Sequence, residues 1–190
     1  MIFKSHYRPE IDGLRALAVV PVILYHAGFE TFSGGFLGVD IFFVISGYLI
    51  TSIIISDLGK GNFSILNFYE RRIRRILPAL FLVIIFSSLT SWMIFVPSDM
   101  ESFSESIIYV LTFTSNFFFW LENDYFDPAA EYMPLLHTWS LAVEEQFYIL
   151  FPLFMILVFK LNRFLVLFIC FLLLVFSLFI SNSASLAEKS

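Results

Sequence analysis

The stretch FLGVDIFFVISGYLITSIII, Phe36–Ile55, decides the fold class. It carries one charged residue, Asp40. As a helix rising 1.5 Å per residue it is about 30 Å long, the thickness of a bilayer's hydrocarbon core. Four further segments of comparable length read the same way: Ile11–Phe29, Ile76–Val96, Trp139–Phe159 and Phe164–Ile180. A sixth, Ile107–Leu121, is shorter and contains Thr112, Thr114, Ser115 and Asn116. The prediction is an all-α, polytopic transmembrane helix bundle of about five spans plus one re-entrant or interfacial segment.

Composition agrees. Of 190 residues, 59% are hydrophobic, 19% aromatic and only 14% charged, with a mean hydropathy of +0.86. Soluble domains carry about 25% charged residues, so lipid is the expected main solvent. Cys170 is the single cysteine and lies in an apolar run, which excludes an intrachain disulfide or thiolate metal framework. Nothing resembles a metal-ligand array or a nucleotide-binding glycine loop, so no metal, bound cofactor or nucleic-acid partner is expected. Lys4 and Arg8 precede the apolar run Leu14–Tyr25, as in a signal peptide, but Arg15 and Pro21 interrupt it and no small-x-small cleavage site follows. An uncleaved first membrane helix is the better reading.

Charge placement arbitrates orientation. Basic residues cluster before Ile11, between Ser56 and Arg75, and at Lys160–Arg163. If Ile107–Leu121 does not cross, all three clusters lie on the cytoplasmic side, as short basic loops do. The region Pro97–Thr138 has acidic residues but no Lys or Arg, which suits the outer side. The expectation is a multi-pass protein of the cell inner (plasma) membrane with a cytoplasmic N-terminus, in which residues 107–121 dip in and return. Backbone irregularity of that kind is tolerated where protein or water covers it.

Ionisable groups inside the spans are the candidates for function. Arg15, His26, Asp40, Glu144 and Glu145 fall within them or at their ends. One such charge costs roughly 2.5–3.5 kcal/mol to insert, and five on three helices favour a polar cavity over isolated ion pairs. Arg15 and His26 are eleven residues apart, which at 100° per residue puts them on one helix face, about 16 Å apart along the axis. Arg15 and the run Arg71-Arg72-Ile73-Arg74-Arg75 would lie on the inner half. His26, Asp40 and the glutamate pair would lie on the outer half. Arginine forks suit phosphate oxygens, although such a run also serves as an anchor to anionic lipid. A neutral imidazole beside a carboxylate can take a proton from a sugar hydroxyl. Gly47, seven positions after Asp40, is expected to permit close helix approach. His137 reads first as an interfacial cap and His6 as a solvated tail residue. Trp120, Tyr125, Tyr132 and Trp139 read as an aromatic belt.

Four stretches, in order, resemble the membrane acyltransferase 3 family. They are Tyr7–Val20 with Tyr25-His26-Ala27 and its Arg–ten residues–His spacing, Gly38–Ile50, Arg71–Arg75, and His137–Tyr148 with its Ser-Leu-x-Val-Glu-Glu-Gln-Phe-Tyr motif. The resemblance covers roughly residues 7–160. It implies a membrane enzyme that transfers an acyl group, usually acetyl, from acyl-CoA arriving at the cytoplasmic side to a hydroxyl of a cell-envelope glycan. It implies His26 as acid–base or acyl-relay group, and Arg15 with Arg71, Arg72, Arg74 and Arg75 near the acetyl-CoA donor. The family's membrane domain has about ten helices, so residues 1–190 are expected to be part of a larger domain, completed by further helices or a protein partner. The competing readings are a polysaccharide or small-molecule export component, whose pathway charges would also lie inside the membrane, and a non-catalytic membrane subunit.

Overall fold

The computed structural model describes residues 8–122 and 133–188. They form α1 (Pro9–His26), α2 (Gly38–Gly59), α3 (Ile65–Ile94), α4 (Pro97–Leu111), α5 (Ser115–Glu122), α6 (Thr138–Val158) and α7 (Arg163–Glu188), with no strand among the described residues. Two single 3₁₀ turns, Glu30–Phe32 and Gly35–Leu37, join α1 to α2. Lys4, His6, Tyr7, Tyr125, Tyr132 and Lys189 lie outside the described residues.

Four helical runs are long and apolar enough to cross a membrane: Gly35–Gly59, Ile65–Ile94, Thr138–Val158 and Arg163–Ser183. The fifth expected span corresponds to α1. It carries Glu10, Asp12 and Arg15 within 18 residues and stands outside that set. Leu17, Val44, Leu82 and Leu157 face outward from α1, α2, α3 and α6. Water would penalise that arrangement and acyl chains do not.

Backbone contact between α1 and α2 sets the entry to the bundle. A Cβ added at Gly38 would stand 2.0 Å from the Ala18 carbonyl oxygen, and one at Gly35 would stand 2.2 Å from that of Pro21. Only glycine allows helices to approach this closely. Gly47, the glycine expected to serve this purpose, has nothing within 4 Å of the same position. The close approach is made one helical face away, at the start of α2.

The third helix begins about three turns earlier than the expected Ile76, because Ser64 caps it. The Ser64 hydroxyl accepts from the Asn67 amide at 3.4 Å. The basic run therefore sits on a helix, not in a loop. Arg72 and Arg75 share one face, while Arg74 turns outward and pairs with Glu70 at 2.8 Å.

Residues 107–121, expected as one segment, divide between α4 and α5 at Thr112–Thr114, where Phe113 has φ 54°. At 1.5 Å per residue, the 15 residues of α4 and the 8 of α5 reach about 22 and 12 Å, so neither crosses a hydrocarbon core of about 30 Å by itself. A phenylalanine in the left-handed region costs about 1–3 kcal/mol. Gln146 of α6 holds it there, its side-chain NH₂ donating to the Phe113 carbonyl at 2.7 Å and to Asn116 Oδ1 at 2.9 Å. Buried Ser115 and Thr138 tie the starts of α5 and α6 together, Ser115 Oγ donating to the Thr138 carbonyl at 3.1 Å.

Two apolar clusters hold the bundle. Leu80 and Ile84 of α3 pack with Phe103, Val110, Phe118, Phe119 and Leu135. Ile50 and Ile54 of α2 pack with Phe68, Tyr148, Met155 and Val158. From α7 only Val166 joins this second cluster, and no residue of its apolar stretch is buried.

Candidate active site

Between the two clusters lies a cavity of about 390 Å³. Its walls are helical stripes at i, i+3 and i+4 spacing. Arg72, Arg75, Ala79 and Val83 come from α3, Ser46, Ile50 and Ile53 from α2, and Thr138, Leu141, Glu144 and Tyr148 from α6. Arg15 of α1 and His137, just before α6, complete the lining.

At one end are three cations, Arg15, Arg72 and Arg75. Half-buried Arg72 stacks over the Tyr148 ring, 4.6 Å from its centroid, and over Phe68 at 5.8 Å. Arg15 lies over Phe42 at 5.2 Å. Among the described residues, the ion pairs within 4 Å are Arg8–Glu10 and Arg74–Glu70, and neither reaches the cavity. Aromatic faces thus support the guanidinium groups of Arg15 and Arg72, and their hydrogen-bonding forks remain open to an incoming anion.

The carboxylates are divided. Glu144 faces the cavity and accepts a short hydrogen bond from the Tyr148 hydroxyl. Glu145, one position on, turns away from it. Only 6% of Glu145 is exposed, and its Oε1 has no hydrogen-bond partner. Adjacent residues on a helix point about 100° apart, so the pair expected to act together occupies two environments. Asp40 stands exposed in the first turn of α2, outside the lining, as do Arg71 and Arg74.

His26, expected as a site residue, lies outside the lining. His137 lines the cavity, a place its reading as an interfacial cap did not suggest. Although its surface is partly exposed, the surrounding protein removes enough water to hold its imidazole below the ordinary value. The charge of nearby His26 lowers it further, and the Pro134 carbonyl opposes both. His26 is exposed at the end of α1, and its Nδ1 lies 2.9 Å from the Val22 carbonyl oxygen. A carbonyl only accepts, so neutral His26 carries its proton on Nδ1 and offers the lone pair of Nε2. The sequence could have signalled His137 only through its spacing of one turn from Leu141 and two from Glu144, on the face that became the cavity wall.

Comparison with known proteins bears on this arrangement. The chain matches an acyltransferase domain family over residues 8–186. It is 46% identical over 166 residues to the O-acetyltransferase OatA of Staphylococcus aureus, covering 86% of this chain and 27% of that protein. It is 42% identical over 160 residues to the peptidoglycan O-acetyltransferase OatA of Listeria monocytogenes, covering 83% and 26%. The chain thus spans about a quarter of the length of these curated relatives. No solved structure matches it. With Arg15 of the first helix and Glu144 of the sixth lining one cavity, and with nearly its whole length matched, the chain belongs to the membrane acyltransferase 3 family.

Proposed function

We propose that this chain forms the donor-binding part of a membrane O-acyltransferase. The enzyme moves an acyl group, acetyl by the names of its relatives, from acyl-CoA to a hydroxyl of a cell-envelope glycan. The observation that carries this reading is the cavity holding Arg15, Arg72 and Arg75 with no carboxylate paired to any of them. Three forked cations beside apolar walls fit the phosphates and aliphatic arm of coenzyme A better than a purely structural role, which would neutralise them. In the transfer, the acceptor hydroxyl oxygen bonds to the thioester carbonyl carbon and gives its proton to His26 Nε2. The carbon–sulfur bond breaks, and the leaving sulfur takes up the proton that His26 received. His137, held neutral, adds no repulsion to the charge that His26 gains.

Donor binding tests the reading. Arg72→Gln is expected to weaken acetyl-CoA binding about 10–100-fold, the loss of one charge-assisted hydrogen-bond pair. Arg72→Lys should restore only part of it, since the bidentate fork is gone. Arg74→Gln, on the outward face, should leave binding unchanged. Titration of acetyl-CoA into protein in nanodiscs reads all three. Equal affinity of wild type and Arg72→Gln would remove the assignment.

We further propose a plasma-membrane location with the N-terminus cytoplasmic and the α4–α5 region on the outer side. Support comes from the basic residues around α3 and at Lys160–Arg163, and from the absence of Lys and Arg between residues 97 and 138. In a Cys170→Ser background, Ser98→Cys is expected to react with an impermeant thiol reagent in intact cells, and Leu161→Cys only after lysis. The opposite pattern would invert the topology.

A further inference from the structure

A second cavity, of about 490 Å³, lies between the end of α3, α4, α5 and the turn leading into α6. Its walls differ in character. Asp99, Ser102 and Ser106 form one stripe of α4 at i, i+3 and i+7. The rings of Phe95, Phe103, Phe118 and Phe119 line the cavity as well. A concave site with aromatic walls and a few convergent polar groups, in a volume of this order, has the build of a small-molecule pocket.

The charge pattern narrows the ligand. No Lys or Arg occurs anywhere in residues 97–138, so this pocket offers an anion nothing and sets a carboxylate, Asp99, against it. A lipid chain would have no use for the hydroxyl stripe. A neutral ligand with many hydroxyls and an apolar face satisfies both walls, its hydroxyls on Asp99 and Ser102 and its C–H face on the rings. A sugar ring has that chemistry.

The two cavities also share a wall. Pro134 and Leu135 line the second, while His137 and Thr138, directly following, line the first. We infer that the second cavity is an acceptor site for a neutral glycan strand, which presents its hydroxyl across the Pro134–Thr138 turn to His137 on the wall of the first and to nearby His26. This rests on the proposed acyl-transfer reading for its purpose but not for its binding.

The test uses the intact membrane protein in nanodiscs, with the N-acetylglucosamine tetramer as probe and saturation-transfer NMR as readout. The tetramer is expected to bind the wild type. The double variant Asp99→Ala/Ser102→Ala and the rim variant Phe95→Leu should each weaken it about fivefold or more, the scale of one or two lost hydrogen bonds. Acetyl-CoA affinity should stay unchanged in both, which shows that they are folded. Arg72→Gln should leave tetramer binding intact. No binding to the wild type, equal binding to the variants, or a co-purified lipid that the tetramer fails to displace would each overturn the acceptor site. Tetramer binding that depends on Asp99, in a protein with no affinity for acetyl-CoA, would uphold this site and remove the transferase reading instead.

Discussion

Alanine in place of His26 is expected to lower acyl transfer by about 10²–10⁴-fold, or roughly 3–5 kcal/mol of barrier, while leaving acetyl-CoA binding near its wild-type value. The cause lies in where the groups stand. The arginines that would hold the donor line the first cavity, whereas His26, outside that lining and with Nδ1 against the Val22 carbonyl, presents Nε2 as a proton acceptor. Losing that acceptor raises the barrier without touching the donor's anchors. His137→Ala is expected to cost less, about tenfold, because His137 would steer the acceptor without taking the proton itself. Glycan acylation and acetyl-CoA binding are measured separately in membranes carrying each variant. If His26→Ala retains a near wild-type rate while His137→Ala abolishes transfer, the proton acceptor is His137, the imidazole on the cavity wall.

The second large effect concerns packing. Gly38→Ala would force a methyl group to 2.0 Å from the Ala18 carbonyl oxygen, a backbone atom that no rotamer change can move aside. Overpacking typically costs about 1–3 kcal/mol, and a backbone neighbour puts this site at the upper end of the range or beyond. The helices must part, and Arg15, one turn before Ala18, leaves the cavity with α1. A marked drop in melting temperature together with weaker acetyl-CoA binding is the expected result. Gly47→Ala is the matched control. With nothing within 4 Å of its added Cβ, and with alanine the better helix former, it should melt at or slightly above the wild-type temperature. Equal melts for the two variants would mean that α1 and α2 are not in contact at Gly38.

Which parts of this were legible beforehand follows from what periodicity can and cannot report. The helices were readable because length and apolarity are properties of one segment, and Phe36–Ile55 needed no partner to be recognised. The stripe from Arg72 to Val83 was not, because Arg71–Arg75 were placed in the loop before a helix expected from Ile76. What a single helix does not state is which neighbour its face meets. Gly47 and Gly38 look equally suited to close packing, and only the crossing point of α1 decides between them. The same limit applies to Glu144 and Glu145. Adjacent in sequence, they were read as a pair, yet the helical turn sends one into the cavity and buries the other. The break at Phe113 was hidden for another reason. Its φ of 54° is stabilised by Gln146, thirty-three residues away, and no local propensity predicts a left-handed phenylalanine.

The tight contact between α1 and α2 has a consequence for biogenesis. Glu10 and Asp12 in its first turn and Arg15 further in make α1 a poor candidate to leave the insertion machinery alone, since a charge at a span's centre costs roughly 2.5–3.5 kcal/mol. α2 is apolar enough to partition by itself, and the glycine seam lets it take hold of α1 along the backbone. The expected route is therefore entry as a helical hairpin, with the first helix synthesised first but entering the bilayer when the second arrives to carry it in. Gly35 and Gly38, by admitting backbone contact, would let α2 carry a helix that its own charges hold back.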